Sequence, residues 1–145
     1  MTIFNRKESD EGDTWYPTIL RNVQLNMDKA AILAKYGPNA ADSAILNIRY
    51  VQDGNNKIIA GKRWLPPKEW EKSKEYSETI TFTSGDRFDF FWLGDWGNEH
   101  PVRDAEYASY IDFYTFMNKT YDYVFAISSV GGPYSIIPHF EILGK

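Results

Sequence analysis

The segment AILNIRYVQDGNNKIIAGKRWL, residues 44–65, constrains the fold more than any other part of the chain. Over AILNIRYV, Ile45, Asn47, Arg49 and Val51 share one parity, while Leu46, Ile48 and Tyr50 share the other. A period of two is that of a strand with one buried face, which assigns Leu46, Ile48 and Tyr50 to the core. QDGNN then supplies a turn signal, because Gly and Asn tolerate the positive φ of a tight hairpin loop. KIIAGKRWL reads as the returning strand. Such a unit commits the chain to antiparallel pairing.

The remaining sequence repeats this pattern. TIFNRK and TWYPTILRNVQLNM read as an N-terminal hairpin with Gly12 in its loop, and Ile19, Val23 and Leu25 share one parity. KAAILAKYGPNAADS suggests a short helix over 28–36, stopped by Gly37-Pro38. PPKEWEKSKEY cannot continue a strand past two prolines and reads as one helical turn. ETITFTSGDRFDFFWLG reads as strand, tight turn at Ser84-Gly85-Asp86, strand. YIDFYTFMNKTYD reads as a short helix with Phe113 and Phe116 on one side. The chain closes with YDYVFAISSVGGPYSIIPHFEILGK, two strands around a turn, with Phe140 and Ile142 inward and His139 and Glu141 on the opposite face. The ten Tyr, nine Phe and five Trp reinforce the strand reading, since aromatic side chains favour pleated surfaces. The expected fold is a single mainly-β domain over 1–145, an antiparallel small β-barrel or sandwich with one or two short helices.

The absence of Cys excludes disulfides and thiolate metal sites and fits the cytoplasm. The opening MTIFNRKESDEGD lacks the apolar core of a secretion signal, and no apolar run is long enough to cross a bilayer, so a soluble protein is expected. A net charge of −4 argues against a general nucleic-acid binder. The charge is uneven. Residues 1–75 hold 12 Lys/Arg against 10 Asp/Glu, and residues 76–145 hold 4 against 10, giving +2 and −6. A basic face meeting an acidic face of a neighbouring copy would generate a ring if the rotation closes.

Three groups of residues are candidates for function. GKRWLPPKEWEKSK interleaves Lys62, Arg63, Lys68, Lys72 and Lys74 with Trp64 and Trp70; such a mixture suits single-stranded nucleic acid, or a loop whose tryptophans clip onto the body or a neighbour. GDWGNEHPVRDAEY gathers Asp95, Glu99, Asp104 and Glu106 beside Trp96. Paired carboxylates there could act as a glycosidase acid and base, but most acidic loops are simply solvated surface, and that is the reading preferred for this one. Trp64, Trp70, Trp92 and Trp96 could line a sugar platform, with Trp96 the better exposed candidate and Trp92 expected to be buried. His139 and Glu141 could share a metal, though two ligands and a remote His100 fall short of a site. No phosphate loop, nucleophile elbow or HExxH motif is present. Nothing in these residues demands catalysis, a cofactor or a metal.

The order TIFNR…TWYPTILRNVQ, ADSAILNIRYV…KRWLPPKEW, FTSGDRFDFF and the closing YDYVFAISSVGGPYSIIPHFEILGK resembles an uncharacterised family of small prophage structural proteins. That family belongs to the head–tail morphogenesis region of long-tailed bacteriophages. More loosely, the chain is similar to minor capsid and head-closure (stopper) proteins, against which 56–77 stands as an insertion. The resemblance implies a virion protein at the head–tail connector or neck, made in the bacterial host cytoplasm. It implies a homo-oligomeric ring touching portal, neck and tail proteins, with DNA passing but not specifically bound. The candidate interaction surface is then Lys62, Arg63, Trp64 and Trp70 on one loop and Asp95, Trp96, Glu99, Asp104 and Glu106 on the other, and high salt should weaken assembly. The alternative is a carbohydrate-binding β-sandwich module using exposed tryptophans; a small hydrolase using the Asp95–Glu106 carboxylates is a third.

Overall fold

A computed structural model of the chain describes residues 1–27 and 44–145; the stretch 28–36, expected as a helix, lies outside the described residues. The chain is mainly β. One sheet has eight antiparallel strands, curled into a half-barrel. Its spatial order is β10 (Val102–Arg103), β2 (Thr14–Ile19), β1 (Thr2–Lys7), β9 (Phe90–Trp92), β11 (Val124–Tyr134), β12 (His139–Gly144), β4 (Ala44–Arg49) and β3 (Gln24–Asn26). A second, smaller sheet runs β5 (Val51–Asp53), β6 (Asn56–Ile59), β7 (Lys62–Trp64), β8 (Thr79–Ile80). Short helices cover Pro67–Ser73 and Phe113–Thr120, and 3-10 turns cover Gly85–Arg87 and Asp104–Tyr110.

The N-terminal hairpin forms between Thr2–Lys7 and Thr14–Ile19, with Gly12 at φ 107° in the loop, but TWYPTILRNVQLNM is not one strand: the chain turns over 20–23 and Gln24–Asn26 pairs with β4 at the far edge of the sheet. Leu46, Ile48 and Tyr50 are buried in the main core, as the alternation of β4 requires. Strand β4 passes through Tyr50 directly into β5, so one extended run serves both sheets. Several readings need correction. KIIAGKRWL is two strands, because Ala60 (φ 52°) and Gly61 (φ 78°) make a two-residue reversal between β6 and β7. The 79–92 region is no hairpin: β8 joins the small sheet parallel to β7, while β9 lies in the large sheet between β1 and β11. The Gly85–Arg87 turn carries the chain between sheets, a tertiary choice that turn residues alone do not encode. PPKEWEKSKEY also extends further than one turn, into the seven-residue helix Pro67–Ser73.

The central strands are apolar on both faces. Ile3, Phe91 and Phe125 join the main core together with Phe140, Ile142 and residues of the small sheet. Their chain neighbours Phe4, Phe90 and Val124 face a second core closed by Trp15, Phe113 and Met117. FDFFW and TIF are therefore continuous apolar runs because β1 and β9 are covered twice, by the small sheet and by the Phe113–Thr120 helix. Asp112 starts that helix by accepting a hydrogen bond from the Thr115 amide at 2.7 Å, a side-chain N-cap. Gly144 lets β12 pass Phe91 and Phe125, where an added Cβ would come within 2.8 Å of the Phe91 ring and of the Phe125 Cβ.

Candidate functional site

The polar residues singled out in the sequence are largely tied into the fold. Lys62 has a buried stem, and its ammonium donates to Thr18 Oγ1 at 2.8 Å and to the Pro17 carbonyl at 3.3 Å. It also pairs with Glu99 at 3.2 Å, and Glu99 accepts from the Ile19 amide at 3.1 Å. The basic and acidic loops thus meet within one chain at this point. This bridge covers backbone on β2 that β10 leaves unpaired, since β10 reaches only Thr14 and Trp15. Asp104 accepts from the Trp15 indole at 2.8 Å and from the Phe113 amide at 3.0 Å, fastening the Phe113–Thr120 helix to β2. Arg63 pairs with Glu75, and Arg103 with Glu106, both at the surface. Asp95 is exposed and closes a local turn on the Gly97 amide.

The tryptophans are packed rather than laid flat in solvent. Trp70 is 1% exposed and stands between Tyr16 and Tyr76. Trp64, half-buried, meets the Phe140 ring at 4.9 Å. These are the clipped tryptophans of the first loop, holding it to its own body. Trp96 is edge-on to Phe4 at 5.6 Å and to Phe113 at 5.4 Å, and it also contacts Trp92. Trp92, expected to be buried, is only half-buried because it lies at the end of β9 beside Tyr121.

Asp89, hidden within FDFFW, is a residue that sequence reasoning missed. Its carboxylate is buried where the two sheets meet: Oδ1 accepts from the Arg6 amide at 2.8 Å, and Oδ2 from Asn5 Nδ2 at 3.0 Å and the Thr83 amide at 2.8 Å. Asn5 in turn donates to the Thr81 carbonyl at 2.7 Å. Burial pushes the Asp89 carboxyl up to about 7, while its hydrogen bonds with Arg6, Asn5 and Thr83 pull the other way. Among the described residues no group of three or more His, Asp or Glu side chains is arranged to hold a metal. His139 Nε2 lies 3.7 Å from Glu141 Oε1.

What the molecule leaves open is apolar surface. At the β11–β12 tip, Ile136 is 98% exposed and Ile137 62%, with Tyr134 beside them. The tip is braced from below. Tyr50 donates its hydroxyl to the Tyr134 carbonyl at 2.7 Å and its amide to the Pro138 carbonyl at 3.2 Å. His139 stacks on the Tyr134 ring at 4.9 Å. At the other end of β11, Leu93, Tyr121 and Tyr123 are exposed together, where the Leu93 amide bonds the Tyr123 carbonyl. Alternation flags neither patch, since both lie where strands end.

These features define a mainly-β half-barrel with a double core, structural polar residues and apolar patches at two ends. The chain belongs to the family of unknown function DUF6751, which it matches over residues 1–145. No curated protein and no solved structure matches it.

Proposed function

We propose that this chain is a non-enzymatic structural protein of a bacteriophage virion, acting at the head–tail connector through ring assembly and protein–protein contacts. The observation that carries the reading is the pair of exposed apolar patches at opposite ends of β11. Eleven residues of strand span roughly 30–35 Å, so the Ile136 tip and the Tyr123 patch can engage two different neighbours. Exposed apolar groups gathered at strand ends favour contact over solvation. The structural duties of Glu99 and Asp104 support a loop that builds surface rather than one that performs acid–base chemistry. The packed rings of Trp64, Trp70 and Trp96 favour this reading over a sugar platform, which needs an open aromatic face.

Light scattering on the purified chain tests the assembly. The expected result is a concentration-dependent species heavier than the 16.8 kDa monomer, reduced to monomer by Ile136→Asp with its circular dichroism unchanged. A wild-type monomer at every concentration, or an Ile136→Asp variant that assembles as before, contradicts it.

A further inference from the structure

The β11–β12 tip carries more apolar surface than its own loop supplies. The Tyr50 amide bonds the Pro138 carbonyl, which continues the β4–β12 register and sets Val51 across from Ile137. Val51 is 69% exposed, so it adds to Tyr134, Ile136 and Ile137 a fourth exposed apolar side chain, contributed by the small sheet. Two cations flank this knob. Arg49 lies opposite His139 across the strands, exposed and without an ion-pair partner among the described residues. Lys57 stands 5.8 Å over the Tyr50 ring, whose hydroxyl holds the Tyr134 carbonyl. Residues 133–139 contain no carboxylate, and Glu141, 3.7 Å from His139, is half-buried.

The opposite end of β11 has the complementary character. Its rings run in series from Trp92 to Tyr121 at 4.7 Å, on to Phe116 at 6.2 Å and then to Tyr110 at 5.1 Å. Tyr110 and Tyr121 are exposed, as are their chain neighbours Ile111 and Tyr123. The surroundings are acidic: residues 93–123 hold six Asp/Glu against two Lys/Arg. Asp95 and Asp122 are exposed, and neither has an ion-pair partner among the described residues.

We propose that the Ile136 tip of one copy seats on the Trp92–Tyr110 aromatic band of a second copy, with Arg49 and Lys57 facing Asp95 and Asp122. This contact rests on the assembly proposed above and names its two mating surfaces. Within one chain the surfaces stand roughly 30–35 Å apart along β11, so a copy does not cover its own tip. Aliphatic side chains laid on aromatic faces remove apolar surface of both from water. The opposed charges fix the orientation. A tip-to-tip pair would instead bring Arg49 and Lys57 against their own kind, and a band-to-band pair would do the same to the carboxylates. The contact is therefore heterologous, and its repetition closes a ring when the rotation between copies allows.

The test uses the full chain and light scattering at a concentration where the wild type assembles. Ile136→Asp removes the tip. Tyr123→Asp removes the band, at a position of φ 62° that Asp accepts more readily than Tyr. Each variant alone should be monomeric with unchanged circular dichroism. Their equimolar mixture should give a dimer of twice 16.8 kDa and nothing larger, because one intact tip meets one intact band and both outer ends are blocked. Adding Asp122→Lys to the Ile136→Asp chain should weaken that dimer roughly threefold to tenfold, and Arg49→Glu in the other chain should restore it. A monomeric mixture, a Tyr123→Asp chain that assembles like the wild type, or a dimer indifferent to Asp122→Lys would overturn the contact while leaving assembly itself standing. A wild type that stays monomeric at every concentration would overturn both.

Discussion

Asp89 shows how one residue couples the sheets and makes them sensitive to pH. Its hydrogen bonds come from the Arg6 and Thr83 amides, Asn5 Nδ2 and the Thr83 side chain, all donors to it, so the site suits a carboxylate, yet burial opposes the charge. An acid whose folded value is raised from 3.8 to about 7 lends its full stability below 3.8 and loses it as pH rises through about 7. Urea denaturation should therefore give a stability that falls between about pH 4 and pH 7, by on the order of a few kcal/mol. Asp89→Asn should flatten that slope and, by turning an amide NH2 toward an N–H donor, cost about 1–3 kcal/mol at low pH. A slope unchanged in the variant would assign the titration elsewhere. Lys62 presents a second case. Lys62→Ala removes donors from Thr18 and Pro17 in a buried setting and should cost about 1–3 kcal/mol. Glu99→Ala, at a partner about half exposed to solvent, should cost about 1 kcal/mol or less in the same denaturation series.

At the scale of elements, the Phe113–Thr120 helix depends on its fit to the second core. Phe113 meets Phe4, Trp96 and Tyr107 and is 0% exposed, so Phe113→Ala should destabilise by about 3–5 kcal/mol in thermal or urea unfolding. The Pro67–Ser73 helix ends instead on Lys74 at φ 57°, the left-handed cap position that favours glycine. Lys74→Gly should stabilise by roughly 0.5–1 kcal/mol, visible as a rise in Tm. Much at this scale was legible in the sequence. The alternation of Leu46, Ile48 and Tyr50, the Gly12 loop, and the Phe140 and Ile142 face of the last strand each follow from local period and turn chemistry. The parallel placement of β8 and the transfer of the chain to β9 were not legible, because both depend on which sheet Ile80 and Phe90 pack into. The roles of Glu99 and Asp104 were hidden for the same reason. Their partners Lys62 and Trp15 are distant in sequence, so an acidic loop looks the same whether its charges are solvated or bonded.

For the whole molecule, the proposed role rests on the two ends of the longest strand. The half-barrel is stiffened by two cores that share β1, β9 and β11, and this holds the Ile136 tip and the Tyr123 patch at a fixed separation. Such an arrangement suits a subunit seated between two layers of an assembly. The most direct measurement is electron microscopy of particles induced from a lysogen lacking this gene. The account predicts DNA-filled or leaking heads lying beside separate, finished tails, with joining restored by the wild-type chain and not by Ile136→Asp. Intact, infectious particles from the deletion would contradict it.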